Sequence, residues 1–288
     1  MDKAISLIIP AYNEEDRLDA TLQTALAYLA ENYPHSEVLV MDDGSPDKTA
    51  EIAAARFAQI DRSAKVSARV ISYQPNRGKG YAVRVGLLAA RHPVALFSDA
   101  DLSTPITETP KIVEPIFRGE YDVVFGSRAL DRSLIGTHQP WRREQGGRVV
   151  NLLVRLATRL PFWDTQCGFK AFRMEICRPV VEAAVIDRFG FDVELLYVAH
   201  LAGLRLLEHP VRWDHFEGSK LDPVRDGLRI VSEVRQIRQQ ARKGFYTEAI
   251  RQTREARQRL AERVQAGASP APDESDVSPE LAGAARRI

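Results

Sequence analysis

Two carboxylates one residue apart, Asp99 and Asp101, are the side chains of this sequence best placed for chemistry. They directly follow the apolar run 94–97, which predicts a buried parallel strand. Ligands bind at the carboxyl ends of the strands in open α/β sheets, so we expect both acids at such an edge. Carboxylates there hold a hard divalent cation against phosphate oxygens. The alternative for two such acids alone is a solvated turn capped by Asp101.

A glycine-containing turn is the second candidate for ligand contact. Gly78, Lys79 and Gly80 follow a predicted strand over 66–71. The glycines permit close approach of the backbone to a ligand, and Lys79 would face a nucleotide or its phosphates. The alternative is a helix start with a solvated lysine. The spacing is not that of a Walker motif.

Alternating strand and helix patterns supply the elements that position these residues. Apolar residues at helical spacing follow the first strand, with Asn13 as the predicted helix cap. Strands are predicted over residues 5–9, 38–41, 66–71, 94–97 and 121–125. Regular alternation of strands and helices implies an α/β fold, with a mostly parallel sheet flanked by helices.

The pattern changes after Arg128. Residues 131–145 are polar and basic without a clear period, which predicts a mobile loop. Further along the chain, helices are predicted over 149–160 and 191–202, and strands over 168–174 and 204–213.

The composition excludes several classes of protein. The 288 residues carry a formal net charge of +1, so nothing favours a nucleic-acid partner. Cys167 and Cys177 have neither metal-ligand nor disulfide spacing, which fits a reducing compartment. The sequence shows no signal peptide and no apolar run of bilayer length, so we expect a cytoplasmic protein.

Four motifs at predicted strand ends carry a resemblance to a known family. They are Ile8-Ile9-Pro10-Ala11-Tyr12-Asn13-Glu14, Met41-Asp42-Asp43-Gly44-Ser45-Pro46-Asp47, Asn76-Arg77-Gly78-Lys79-Gly80 and Asp99-Ala100-Asp101. Together they resemble the family 2 inverting glycosyltransferases, whose fold is the Rossmann-like GT-A fold. Later segments resemble the polyprenyl-phosphate (dolichyl-phosphate) β-glucosyltransferase and mannosyltransferase branch. These are Gly126-Ser127-Arg128, Asp164-Thr165-Gln166-Cys167-Gly168-Phe169-Lys170 and Phe191-Asp192-Val193-Glu194-Leu195.

The resemblance covers residues 4–220 and divides the chain. It implies a GT-A catalytic domain over 1–218. A charged helical pattern then predicts a basic helical extension over 219–265, and the composition of 266–288 predicts a disordered tail.

The resemblance also implies a binding site for a nucleotide sugar. Backbone groups of Pro10, Ala11 and Tyr12 would contact the base, with Tyr12 stacked on it, and Glu14 would accept from ribose hydroxyls. Asp43 corresponds to the family residue that accepts from the base imide. The rest of the expected donor site is Gly78, Lys79, Asp99 and Ala100. Asp101 is the leading ligand of a Mg²⁺ or Mn²⁺ ion, and Asp99 either shares the metal or contacts ribose.

Catalysis and acceptor binding are assigned to later residues. Asp192 is the candidate base for a hydroxyl acceptor, with Glu194 second, although acids at a helix start are common for dipole reasons alone. A phosphate acceptor is already ionised and needs little or no base. Cations that would bind it are Arg128, Arg143 and Lys170, and Arg128 is also placed among the catalytic residues.

The expected activity is transfer of a hexose from a nucleotide sugar, UDP-glucose before GDP-mannose, to a polyprenyl phosphate. One alternative is the same chemistry on a soluble hydroxyl acceptor with Asp192 as base. An alternative of another class is a non-catalytic scaffold that binds nucleotide sugars.

The segment from Lys220 to Arg263 is basic, with twelve Lys and Arg residues and six Asp and Glu residues. That excess predicts either helices packed on the catalytic domain or on a second subunit of a homo-oligomer, or peripheral attachment to the inner face of a membrane.

Overall fold

A seven-stranded sheet forms the centre of the protein in the computed structural model, which describes residues 3–60, 65–137, 141–215 and 223–266. The strands are β1 Ile5–Ala11, β2 Glu37–Asp42, β3 Ser67–Ser72, β4 Val94–Ser98, β5 Val123–Ser127, β6 Phe169–Arg173 and β7 Leu206–Pro210. The α-helices in the same residues are α1 Leu18–Asn32, α2 Thr49–Ala58, α3 Lys79–Ala89, α4 Thr109–Phe117, α5 Trp141–Thr158, α6 Met174–Ala183, α7 Phe191–Leu201, α8 Pro223–Arg242 and α9 Thr247–Gln265.

The strand order is β3-β2-β1-β4-β6-β5-β7. Only β6 runs against its neighbours, β4 and β5, while the other pairs are parallel. Because β1, β2 and β4 are parallel, their carboxyl ends meet at one edge of the sheet. The predicted mostly parallel α/β sheet is therefore confirmed.

Each face of the sheet has its own core. Ile5, Leu7 and Ile9 of β1 enter the core shared with α1 and α4, whereas Ile8 enters the core on the opposite face. That second core also contains Leu87 of α3 and residues of α6 and α7. Burial on both faces explains why β1 and β4 consist mostly of apolar residues.

Several element predictions were wrong. Asn13 does not cap α1, which begins at Leu18 with Arg17 at the N-cap; Asn13 instead has a left-handed backbone, with φ of 57°. The predicted loop over 131–145 contains a 3₁₀ turn at Arg132–Leu134 and the start of α5 at Trp141. Helices α4 and α6 were not predicted.

The helical extension packs against the rest of the protein. Ile230, Val234 and Ile237 of α8, with Tyr246 and Leu260, belong to the same core as β4 and α7. The hydroxyl of Tyr246 donates to Oε1 of Glu194 on α7 at 2.6 Å. Residues 216–222, including Lys220, and the tail beyond Ala266 lie outside the described residues. None of the described helices is both long enough and apolar enough to cross a bilayer.

Candidate active site

The carboxyl edge of β1, β2 and β4 gathers most of the predicted donor-binding residues. Pro10 and Ala11 close β1, and the exposed ring of Tyr12 follows them. The amide of Asp43 donates to the carbonyl of Ala11 at 2.9 Å, which ties the ends of β1 and β2 together. Glu14 lies beside this edge, and its Oε2 is 2.8 Å from Nε of Arg17.

The carboxylate of Asp43 organises the turn after β3. Its Oδ1 accepts from the amide of Arg77 at 2.8 Å. Its Oδ2 accepts from Asn76 Nδ2 at 2.8 Å and from the amide of Gly78 at 2.7 Å. These three hydrogen bonds leave little accepting capacity, so a contact from Asp43 to a nucleobase remains a prediction.

Gly78 and Gly80 make room for protein backbone. Gly78 has φ of 113°, and a Cβ there would lie 2.4 Å from the carbonyl oxygen of Asp187. At Gly80 a Cβ would lie 2.5 Å from the carbonyl oxygen of Ile186. The close approach that we assigned to a ligand is therefore made by residues 186–188. This contact brings the turn after β3 against the segment that leads into α7.

Lys79 links that turn to the carboxylate after β4. Its Nζ is 2.5 Å from Oδ1 of Asp99. Burial lowers the pKa of Lys79, but the carboxylates of Asp99 and Asp192 outweigh burial and hold the pKa above its usual value. Lys79 is therefore a fixed positive charge at the sheet edge, in the place where a diphosphate is expected.

Asp101 and Ala100 complete the loop after β4. The amide of Ser103 donates to Oδ1 of Asp101 at 2.9 Å, which fixes one carboxylate oxygen. Ala100 is buried, and its carbonyl accepts from Oγ1 of Thr21 on α1 at 2.6 Å. The loop is held from both sides, and Asp101 is only partly buried.

Asp192, in the first turn of α7, forms a buried ion pair with Lys170. Oδ1 of Asp192 is 2.6 Å from Nζ of Lys170, which also donates to the carbonyl of Cys167. Burial raises the pKa of Asp192, and the ammonium groups of Lys170 and Lys79 offset this only in part. Asp192 thus faces the charge cluster of Asp99 and Lys79.

The assignment of Lys170 to the acceptor phosphate was wrong. Its side chain is 0% exposed, because β6 lies inside the sheet between β4 and β5. Its ammonium group is already held by Asp192 and Cys167. Lys170 orients Asp192 and does not face solvent. Glu194, the second candidate base, is fully buried, and it accepts from the amides of Val185 and Ile186.

Arg128 is fixed by a bidentate ion pair. Nε and Nη2 of Arg128 donate to the two oxygens of Asp164 at 2.7 and 2.8 Å, and the backbone amide of Arg128 donates to the same carboxylate at 3.0 Å. Burial would raise the pKa of Asp164, but Arg128 outweighs it and lowers the pKa to about 2. The guanidinium also lies 5.6 Å from the ring centroid of Trp213. Arg143 lies in α5, and its side chain is outside the described part of the structure.

Sequence reasoning did not assign Gly168 and Asp164 to the site. A Cβ on Gly168 would lie 2.1 Å from Oδ2 of Asp99, so the position requires glycine if Asp99 is to keep its place. Asp164 is the partner of Arg128. Both residues lie in or beside the motif that narrowed the resemblance, and this was the available signal.

The donor set of this edge fits a hard divalent cation. Asp99 and Asp101 offer carboxylate oxygens, the ligand type that Mg²⁺ and Mn²⁺ prefer. Among the residues that the structure describes, no group of three or more His, Cys, Asp or Glu could enclose an ion. Magnesium is usually bound by one or two carboxylates together with substrate phosphates, so two acids suffice when a diphosphate supplies the rest.

Comparisons with known proteins show the family to which the chain is similar. A model of glycosyl transferase family 2 matches residues 6–180. The chain is 38% identical over 234 residues to the dolichyl-phosphate beta-glucosyltransferase of Drosophila melanogaster, covering 76% of this chain and 69% of the relative. It is 33% identical over 255 residues to the human protein of the same name, covering 82% and 75%.

A solved structure shows the same fold. Glucosyl-3-phosphoglycerate synthase from Mycobacterium tuberculosis, in complex with Mn²⁺, UDP-glucose and phosphoglyceric acid, aligns with a TM-score of 0.57 at 20% identity. The alignment covers 84% of this chain and 80% of that one. The mixed sheet with its acidic carboxyl edge is thus the fold of GT-A glycosyltransferases.

The chain belongs to glycosyl transferase family 2. The resemblance found in the motifs is confirmed, both for the family and for its dolichyl-phosphate glucosyltransferase branch.

Proposed function

We propose that this glycosyltransferase moves glucose from UDP-glucose to a polyprenyl phosphate with inversion at the anomeric carbon. Relatives named for dolichyl-phosphate glucosyl transfer support the sugar and the acceptor. The observation that carries the proposal is the charge cluster at the sheet edge. In this cluster Lys79 contacts Asp99, and the buried Asp192–Lys170 ion pair lies beside them.

Donor binding uses the carboxyl edge of β1, β2 and β4. Tyr12, with the backbone of Pro10 and Ala11, contacts the base, and Glu14 contacts the ribose. Lys79 neutralises part of the diphosphate charge, and its contact with Asp99 keeps the ammonium group at that position. Gly78 and Asp43 act by holding the turn that carries Lys79.

Asp101 and Asp99 would hold a Mg²⁺ or Mn²⁺ ion, which when bound would neutralise charge on the leaving diphosphate. Solved neighbours of the same fold contain Mn²⁺ and UDP-glucose, which supports this cofactor. The carboxylates themselves are positioned by the chain, through Ser103 for Asp101 and through Lys79 for Asp99.

The acceptor phosphate binds at Arg128, with Arg143 as a second cation. Asp164 accepts from Nε and from one N–H of Nη2, so the two N–H groups of Nη1 and the second N–H of Nη2 are left for phosphate oxygens. A phosphate nucleophile is ionised near neutral pH and needs no base, and Asp192 then orients a sugar hydroxyl. A polyprenyl acceptor also places the protein at a membrane surface, on the cytoplasmic side.

The second candidate is transfer to a soluble hydroxyl, which the position of Asp192 at the charge cluster favours. Asp192 would then remove a proton, and Asp192→Asn should lower kcat by about a hundredfold or more. With a phosphate acceptor the same variant should retain measurable transfer. Comparing both acceptor types on one preparation separates the two.

The test of the proposed function uses the full chain with UDP-glucose and GDP-mannose, each offered with a polyprenyl phosphate or a soluble hydroxyl acceptor. We expect glucosyl transfer to the polyprenyl phosphate and loss of transfer in EDTA. Asp101→Ala should abolish transfer without unfolding the protein. Asp19→Ala, at an exposed ion pair with Arg56, is the matched control. Full activity after dialysis against EDTA would contradict the metal assignment.

A further inference from the structure

A stripe of exposed apolar side chains runs along α5. Val149, Leu152, Leu153 and Leu156 are spaced i, i+3, i+4 and i+7, which places them on one helix face. All four are exposed, Leu156 by 69%, while Val154 on the opposite face is buried in the core. These four residues and Trp163 make up half of the ten large apolar side chains that are exposed in the described residues. We call these five residues the α5 stripe.

Cationic side chains border the α5 stripe. On one side Arg155 stacks on Trp163, with its guanidinium carbon 3.6 Å from the ring centroid. On the other side lies a groove of about 500 Å³ between α5 and α8, where Leu153 of the stripe forms part of the wall. The groove is also lined by arginines of α8: Arg235, Arg238 and Arg242. These three form no ion pair with any residue in the described ranges.

The apolar α5 stripe and the arginines beside it indicate the kind of partner that binds here. Aliphatic side chains gain free energy by leaving water, whereas the neighbouring guanidinium groups require an anionic, hydrated surface. An anionic phospholipid bilayer offers both environments, because its acyl chains are apolar and its headgroup phosphates are anionic and hydrated. A tryptophan at the border fits the same interface, because its ring is amphipathic.

The α5 stripe also lies next to the proposed acceptor site. Trp163 directly precedes Asp164, which holds Arg128. The amides of Trp163 and Asp164 both donate to Glu208 of β7, so this end of the stripe is fixed to the sheet. A bilayer in contact with the stripe would therefore bring its headgroup phosphates close to Arg128.

We propose that the α5 stripe is a membrane-docking surface that inserts into the headgroup region of an anionic bilayer. The functional meaning of this docking rests on the proposed function, because an acceptor embedded in lipid gives the enzyme a reason to bind there. The docking itself requires neither donor nor acceptor and is measured without them.

The test is flotation of the full chain with vesicles of phosphatidylcholine and phosphatidylglycerol. Leu156→Ser should lower the vesicle partition coefficient by about tenfold, and Leu152→Ser in the same chain should lower it further. Val264→Ser on α9 is the matched control, because Val264 is 67% exposed and lies outside the stripe. It should bind as the wild type does. High salt should weaken binding by the wild type.

A second assay separates this proposal from the proposed function. Transfer to a short-chain polyprenyl phosphate in detergent should be equal in wild type and Leu156→Ser, whereas transfer to a long-chain acceptor in vesicles should fall in the variant. Vesicle binding without transfer to either acceptor would overturn the proposed function and leave the docking surface intact.

Three results would overturn the docking surface. The first is that the wild type does not bind vesicles at low salt. The second is that the Val264→Ser control loses as much binding as Leu156→Ser. The third is that the α5 stripe forms the interface between two copies of the chain. The last would appear in sedimentation as a dimer that Leu156→Ser dissociates and that does not bind vesicles.

Discussion

Asp99 is confined from two sides. Its Oδ1 contacts Lys79, and its Oδ2 occupies the space where Gly168 lacks a side chain. If Asp99 is a metal ligand, as proposed, this confinement would hold its carboxylate in place before the substrate binds, so that no free energy is spent on ordering it during the reaction. Under the proposed function, Gly168 would be a positioning residue that acts through Asp99.

Gly168→Ala should lower kcat/KM by about a hundredfold, because a displacement of about 1 Å at a catalytic group has that effect. The Mn²⁺ concentration required for half-maximal activity should rise as well. Gly147→Ala on α5 is the control, since a Cβ there meets nothing within 4 Å. Equal activity of the two variants would show that Gly168 does not position Asp99.

Asp164 gives the fold a pH-dependent contribution. Its pKa is about 2 in the folded protein, below the unfolded value of 3.8. The stabilisation is therefore complete above about pH 4 and is lost as pH falls toward 2. The shift corresponds to about 2 kcal/mol.

Asp164→Asn should lower the free energy of unfolding at pH 7 by about 2 kcal/mol, and the deficit should shrink as pH falls below 4. Denaturant melts of both proteins across pH 2–7 measure this. A deficit that is constant with pH would mean that the Asp164 charge contributes nothing through its pairing with Arg128.

At the residue scale, the sequence identified acids that follow strands but not the side chains that hold them. Asp99 and Lys79 could be placed at the ligand-binding edge of the sheet because the ends of apolar runs mark the ends of strands. Lys170 was assigned wrongly because the sequence does not show whether a lysine is buried or exposed. Its burial depends on β6 lying between β4 and β5, which is a long-range fact.

At the scale of elements, α4, α6 and the first half of α5 were not predicted because they contain residues that usually end helices. Pro110 and Pro115 fall in α4 and Pro179 in α6, although the first turn tolerates proline. Gly146 and Gly147 lie inside the first half of α5, where each costs about 0.5–1 kcal/mol relative to alanine. Tertiary packing of an amphipathic face outweighs these local penalties.

The basic extension was the element whose packing the sequence left open. Ile237 of α8 is fully buried in the core shared with α7, and Tyr246 closes the same region through Glu194. Arginines of α9 contact the rest of the protein as well, because Arg254 donates to the carbonyls of Leu201 and Ala202, and Arg257 donates to the carbonyl of Gly203. The helices after residue 223 are therefore part of the folded core as well as a charged surface.

Ile237→Ala should destabilise the whole protein by about 2–5 kcal/mol, as large-to-small core substitutions do. Val264→Ala, at an exposed position of α9, should change stability by less than about 0.5 kcal/mol. Thermal or denaturant unfolding of the two variants measures both. A small effect of Ile237→Ala would indicate that the extension folds independently.

At the scale of the whole molecule, the charge cluster of Asp99, Lys79 and Asp192 and the α5 stripe are joined through Arg128 and Asp164. Under the two proposals, the sheet edge would bind the nucleotide sugar, Arg128 would receive the acceptor phosphate, and α5 would face the lipid that carries it. In this account the donor comes from solution and the acceptor from the membrane, and they meet at one edge of the sheet.

The configuration of the product tests this account most directly. The full chain is incubated with UDP-glucose, Mn²⁺ and a polyprenyl phosphate, and the anomeric coupling of the product is measured by NMR. We expect a β-linked glucosyl phosphodiester, formed by one inversion of the α-linked donor. An α-linked product, or glucose found only on a soluble hydroxyl, would contradict it.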